Sequence, residues 1–363
     1  MYSKKIVPIF KKSAQKNYKI SLTKNEEAIE FFNQTIQLDN NHKQAFFNKG
    51  KSLFILQKYL EAIECFDQVL KIDNKSKNAL IKKGQALLYL NRFTEALNCF
   101  DQVLELFPLN KQALQKKANI LVGLKKYSES INFFNKLISL DLKNPKIFYQ
   151  KGNALLQLEQ YSNAIQCYDN AINISPNFIE AHYYKSYALI QLQQFFEAVR
   201  ACDQVLALES KHSLALLNKA FSLHKLKQYD QAQKCYEESI QLNYNSYEAH
   251  NNYGYLLKEK GSYRKAIKSF DAAIQINSNL KLSYLNRGKC LEILDKNVQA
   301  INDFNLTIKL DPNCSKAYYE KAKILHKIQS NRKAIVYCRL AQQYNSFDEI
   351  EIALKSKIIK NQI

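Results

Sequence analysis

Asparagine recurs at a fixed interval in this sequence: Asn218, Asn252 and Asn286 follow one another 34 residues apart, and Asn48 falls on the same register. A primary amide offers both donors and an acceptor. Amides held at one height by neighbouring elements could therefore grip the main chain of an extended peptide without selecting its side chains. A second column on the same interval is cationic, with Lys49, Lys83, Lys117, Lys151, Lys185, Lys219, Arg287 and Lys321 broken only by Tyr253. Such a row could meet an acidic partner or nucleic acid. The alternative is that each stem covers apolar surface while its charged head reaches water.

Eight cysteines and six histidines raise the question of metal, redox or nucleophilic chemistry. Cys65, Cys99, Cys167 and Cys235 repeat at one site of the interval, Cys202 and Cys338 at the next residue along, and no two cysteines form a CxxC ligand pair. They read as small core side chains in a reducing compartment. His182 and His250 share one column and His224 and His326 another, with no neighbouring Cys or Ser to make a nucleophile and base. Neither a glycine-rich phosphate loop nor HExxH is present. The chain therefore reads as a non-enzyme without metal or cofactor.

The columns are set by a repeating unit. Ala28, Ala62, Ala96, Ala164, Ala198, Ala232, Ala266, Ala300 and Ala334 fall on the 34-residue spacing, with Ser130 in the single gap, and a fixed period of this size marks a stacked-repeat solenoid. With this small residue numbered 20, position 11 is always leucine, from Leu53 to Leu325, and position 8 is small, as in Gly50, Gly84, Ala118 and Ser186. Small residues at 8 and 20 let two helices cross closely. Positions 20, 21, 24, 27 and 28, as in Ala62, Ile63, Phe66, Val69 and Leu70, put apolar side chains on one helical face. Each unit thus reads as two amphipathic helices, and turn residues such as Asp73-Asn74 and Asp311-Pro312 separate the units.

This pattern resembles the tetratricopeptide repeat, over nine full units and the second helix of a tenth. The small residue at 8, the alanine at 20 and the aromatics at 17 (Tyr59, Phe93, Tyr127) and 24 (Phe66, Phe100, Phe134) carry the likeness. Position 4 lacks the family's tryptophan, and Asn297 and Asn331 replace the ring at 17 in the last two units, where looser packing is expected. The resemblance implies an all-α, right-handed superhelical solenoid of antiparallel helix pairs. It divides the chain into a half repeat over 25–42, full repeats starting at 43, 77, 111, 145, 179, 213, 247, 281 and 315, and a capping helix over 346–363.

In this family the first helix of each unit lines a concave groove, so positions 2, 6, 9 and 13 become the candidate binding stripe. The asparagines stand at position 6, similar to the asparagine ladders of O-GlcNAc transferase repeat arms. Tyr149, Tyr183, Tyr184, Tyr187, Phe221 and Tyr255 lie beside them at positions 5, 6 and 9. These rings either anchor a ligand or pack laterally on neighbouring helices. The clamp by which some members hold a terminal carboxylate needs lysine at position 5, and none occurs there.

Charge bounds the partner. Lys+Arg number 53 against Asp+Glu 33, a net charge of +20, and residues 1–24 hold seven lysines before the first acid, Glu26. That segment reads as a basic, frayed or disordered tail. No apolar run approaches the length of a membrane span or a secretory signal, which places the chain in the cytoplasm. The expectation is a scaffold, monomeric or within a larger complex, that holds an extended, acidic segment of another protein. A nucleic-acid or anionic-surface binder working through the tail and lysine row is the alternative, and the substrate-recruiting arm of a separate enzyme a weaker one.

Overall fold

The computed structural model describes residues 23–344. The segment before residue 23 and the capping helix expected over 346–363 lie outside the described residues. Helix follows helix without a strand among them. After α1 (23–38) come nine pairs: α2 Lys43–Ile55 and α3 Tyr59–Ile72, α4 Lys77–Tyr89 and α5 Phe93–Leu106, α6 Lys111–Gly123 and α7 Tyr127–Leu140, α8 Pro145–Gln157 and α9 Tyr161–Ile174, α10 Ile179–Gln191 and α11 Phe195–Leu208, α12 Ser213–Lys225 and α13 Tyr229–Leu242, α14 Tyr247–Glu259 and α15 Tyr263–Ile276, α16 Lys281–Ile293 and α17 Asn297–Leu310, α18 Ser315–Lys327 and α19 Asn331–Tyr344. None of these helices is long and apolar enough to cross a membrane.

Every first helix stops the same way. The residue at position 15 takes positive φ, from Gln57 at 61° to Gln329 at 61°, with glycine there only once, as Gly261 at 74°. This left-handed residue turns the chain so that backbone N–H groups satisfy carbonyls at the helix end. Gln57 N–H donates to Phe54 O at 3.1 Å and Lys58 N–H to Leu53 O at 2.9 Å. First helices often begin with a side-chain cap, from Asn110, Asn144 and Ser246, and from His42 and His212, whose Nδ1 accepts at 3.1 Å.

Within a pair, the close crossing is a fit of nothing against a ring. A Cβ added to Gly50 would sit 2.7 Å from Phe66 Cε1, and the same relation holds for Gly84 with Phe100, Gly152 with Tyr168, Gly254 with Phe270 and Gly288 with Phe304. Cysteine replaces the ring in two units, and there the partner at position 8 is larger, Ser186 opposite Cys202 and Ala322 opposite Cys338. The alanines at position 20 from Ala62 to Ala334 are fully buried, as is a further small column at position 3 that includes Ala79, Ala113 and Ala215.

The looser packing expected at Asn297 and Asn331 is absent: Ala300, Phe304, Ala334 and Cys338 are all fully buried. Position 17 stands at the edge of the core, where Phe93 is 38% exposed, so its loss leaves the centre intact. Its cost is local and polar, since Asn297 Oδ1 is buried without a partner, whereas Asn331 Oδ1 pairs with His326 Nδ1 at 2.7 Å.

The chain divides between Pro176 and Asn177 into two compact units. In the first, α2 touches α4 directly. In the second, α10, α12, α14 and α16 each touch the next first helix in turn. First helices therefore form the inner face of each unit, and their exposed stripe lines a concave surface.

Candidate peptide-binding groove

The second unit encloses a groove of ≈ 450 Å³ on the inner faces of α10, α12 and α14. Tyr183 and Tyr187 come from α10, Asn218 and Phe221 from α12, and Asn252 from α14. Helical spacing puts positions 5, 6 and 9 on one side of each first helix, and stacking the helices brings three copies of that side together. Five of the ten residues anticipated for a groove thus meet in one site.

Sequence reasoning missed its floor and one wall. Ile190, Leu214 and Leu217 supply aliphatic surface, from positions 12, 2 and 5 of the repeat. Their positions were legible, but a search for polar and aromatic side chains passes over leucine. Asn243, Asn245 and Ser246 enter from the turn between α13 and α14, an edge that no column within a helix reveals.

The amides are only partly engaged. Asn218 Nδ2 donates to Ser186 Oγ at 3.1 Å, which fixes the side chain and leaves its carbonyl oxygen outside that bond. Ser186 is itself held by donating to Tyr183 O at 2.6 Å, in the space that Cys202 opens by replacing a ring. Asn252 Oδ1 accepts from Asn251 Nδ2 at 3.1 Å, so its own NH₂ points elsewhere. Burial, then the neighbouring Tyr184, pushes the Tyr183 phenol up to about 12; it enters the site as a neutral hydroxyl. Tyr187 is 40% exposed, an open ring face. Among the described residues no lysine or arginine lines the groove, and Glu248 is its one charged wall residue.

The other anticipated residues lie apart. Tyr184 packs edge-on against Tyr183 at 5.1 Å. The Tyr255 ring lies 5.6 Å from that of His224 and under the Lys258 ammonium at 4.4 Å, and His224 Nε2 pairs with Glu259 Oε2 at 2.9 Å. Asn286 Oδ1 accepts from Lys258 Nζ at 2.6 Å. In the first unit, Tyr149 rests on the Tyr168 ring at 6.2 Å and Asn48 Oδ1 accepts from Gln44 at 3.1 Å. Farther along the second unit, the inner face neutralises itself: Lys289 and Lys323 meet Glu320 at 2.8 and 2.6 Å, and Lys323 meets Glu292 at 3.2 Å.

The cationic row reaches back across the repeat boundary. Lys83 pairs with Asp67 at 2.5 Å, Lys219 with Asp203 at 2.7 Å, and Lys117 with Asp101. Arg287 grips Asp303 through Nε and Nη2 and Asp271 through Nη1. Lys321, 8% exposed, donates to Asn305 Oδ1 at 2.6 Å and sits 3.8 Å over the Tyr337 ring. Lys49, Lys151 and Lys185 are half-buried in the same column. The charged heads of Lys83, Lys117, Lys219, Arg287 and Lys321 thus end on a neighbouring helix, where the stem-and-water reading had them in solvent. The missed signal was position 25, where an aspartate stands sixteen residues before Lys83, Lys117, Lys185, Lys219 and Arg287.

The cysteines add no site. Burial pushes the thiol of Cys99 up to about 11 and of Cys202 to about 12, and among the described residues no group of three metal-ligating side chains gathers.

Tetratricopeptide repeat models match residues 43–76, 81–145 and 217–280, and a TPR repeat model matches residues 152–193. No curated protein matches the sequence. Among solved structures, a chain of the APC/C hetero-tetramer Cut9–Hcn1 is 17% identical over 87% of this chain and 63% of its own length, with a TM-score of 0.54. This chain thus spans less than two thirds of that relative. PilF of Pseudomonas aeruginosa is 16% identical over 60% of this chain and 97% of its own, with a TM-score of 0.53. At such identities the likeness is one of fold. The matched repeat segments cover more than half of the sequence, and the chain belongs to the tetratricopeptide repeat family, whose arrays are protein–protein interaction scaffolds.

Proposed function

We propose that this chain is a non-enzymatic scaffold that takes an extended polypeptide segment into the groove of α10, α12 and α14. One observation carries the reading: Tyr187 and Phe221 stand beside Asn218 and Asn252 around a concavity of ≈ 450 Å³. Rings and leucines supply apolar surface for one or two anchoring side chains, and the amides supply hydrogen bonds to the main chain between them. The site chemistry favours an uncharged or basic stretch at this point, because its only charged wall residue is a glutamate.

The test is selection of peptides from a random display library on the full-length protein, followed by titration of the selected peptides against variants. Asn218→Ala with Asn252→Ala, and separately Phe221→Ala, should weaken binding on the order of tenfold or more with the helical circular dichroism retained. Selected peptides that bind all variants as tightly as the parent would remove the groove from the function.

A further inference from the structure

We propose that the inner face of the first unit is a docking site for an acidic segment of a partner protein, centred on Lys51, Lys82 and Lys116. Charge is segregated in this unit by helix. The first helices α2, α4, α6 and α8 contain no aspartate or glutamate, while the second helices carry Glu61, Asp67, Glu95, Asp101 and Glu129. The cations that meet carboxylates do so away from the inner stripe. Lys83 and Lys117 reach Asp67 and Asp101, and Lys43 and Lys111 reach Asp73 and Asp141.

On the stripe itself stand Lys51, Lys82 and Lys116, with Lys146 at position 2 of α8 beyond them. Lys51 stands at position 9 of α2, Lys82 at position 6 of α4 and Lys116 at position 6 of α6, on the stripe that faces the concavity. None has a carboxylate partner among the described residues. Lys82 is the central one: its ammonium lies 5.4 Å from the Phe54 ring of α2 and donates to Gln85 Oε1 at 3.2 Å. Burial, then the charges of Lys51 and Lys116, lowers its pKa, so the folded unit holds mutually repelling cations that an acidic ligand would relieve. Amides flank them, among them Asn48, Gln85, Asn119 and Gln150, and Gln115 links Gln150 at 2.8 Å to Asn119 at 3.0 Å. An amide-rich, acid-free face suits a polypeptide, whose main chain offers donors and acceptors between its carboxylates. Single-stranded nucleic acid would want a succession of aromatic platforms, and this stripe carries one exposed ring, Tyr89, with one face already stacked on Tyr59 at 4.7 Å. This site is independent of the groove in the second unit.

The test is fluorescence anisotropy of a labelled oligoglutamate peptide with the full chain, beside oligoglutamine and an oligothymidylate of similar length. Oligoglutamate should bind with a salt-sensitive affinity, and the combined Lys51→Gln, Lys82→Gln, Lys116→Gln variant should weaken it on the order of tenfold or more. Asn218→Ala with Asn252→Ala should leave it unchanged, so failure here and failure of the second groove are told apart. Equal binding of oligoglutamine, equal binding by the triple variant, or preferential binding of oligothymidylate would each overturn the assignment. Lys82→Gln alone should keep or raise the urea midpoint, because the lysine is held in place against its own repulsion. A lowered midpoint would mark Lys82 as a structural element and overturn the proposal.

Discussion

Tyr253 donates its phenolic hydroxyl to Glu237 Oε1 at 2.5 Å across a separation of sixteen residues, at the one place where the cationic column has no cation. The separation is that of Lys83 with Asp67, Lys219 with Asp203 and Arg287 with Asp271. Position 7 of one repeat is thus bonded to position 25 of the repeat before it, and the bond persists when one side changes, as Tyr253 with Glu237 and Lys321 with Asn305 show. The column joins neighbouring repeats and spends on that joint much of the charge that would otherwise face a ligand.

Arg287 is the member of this column that should matter most because, beside its bond to Asp271 in the repeat before, it also grips Asp303 of its own repeat. Asp303 is only 4% exposed and takes two bonds from the guanidinium, at 2.6 and 2.8 Å. Removing one partner of a buried pair leaves a charge without compensation, at a cost of about 3 kcal/mol. Arg287→Met should lower stability by that order in urea unfolding, and adding Asp303→Leu should recover most of it. By contrast Lys219→Met, whose partner Asp203 is 48% exposed, should cost less than about 1 kcal/mol. Equal losses for the two single variants would contradict this account.

Two tyrosines at the same position of the repeat should respond oppositely to losing their hydroxyls. Tyr168 donates to Asn153 Oδ1 at 2.8 Å, while Tyr236 OH is buried without a partner, because Phe221 stands where Asn153 does. Tyr168→Phe should cost about 1 kcal/mol. Tyr236→Phe should be neutral or stabilising by about that amount, since it removes a desolvated polar group that has no bond to lose. Thermal unfolding of both variants checks the pair, and a loss on Tyr236→Phe would show a bond that the structure lacks.

The turn inside each repeat offers a cleaner backbone test. Glu159, exposed and with φ at 58°, does what Gly261 does at 74°. A Cβ at Gly261 would meet nothing within 4 Å, so Gly261→Ala isolates the conformational term and should cost about 1 kcal/mol. Glu159→Gly should be neutral or stabilising by up to about 1 kcal/mol, with the extra freedom of glycine in the unfolded chain offsetting part of the gain. Destabilisation by Glu159→Gly would mean that its side chain is needed.

The helices and the period were legible because each repeat restates the same spacing, so one register error would have had to recur nine times. Ala62 and Leu53 could be placed in the core from that spacing alone. Partnership between columns was harder to see. Lys219 and Asp203 are in different repeats and on different helices, and the sixteen-residue link becomes visible only when the helix pairs are stacked. The same reason hid Leu214 and Asn245 from the groove: one is apolar in a stripe searched for polar groups, the other sits in a turn that stacking folds inward. The left-handed turn left no trace because eight of the nine units make it without glycine.

Acid should loosen the second unit in two stages. His250 at position 4 bonds through Nε2 to Tyr244 O at 2.9 Å; burial lowers its pKa from 6.5 against the raising effect of that bond. A lowered folded value means that the unfolded chain takes up the proton first, so this contribution is full above about 6.5 and is lost as pH falls through the folded value. Glu320 comes next. Burial raises its carboxyl, but hydrogen bonds and charges from Lys289 and then Lys323 outweigh that and hold it below 4.5. Its contribution is present above 4.5 and disappears as pH falls through the depressed value. Melting temperature should therefore decline below about pH 6.5 and again below about pH 4.5. His250→Gln should flatten the first decline and Glu320→Gln part of the second, each at some cost in stability at neutral pH. If His250→Gln leaves the upper decline unchanged, the burial of His250 does not govern it.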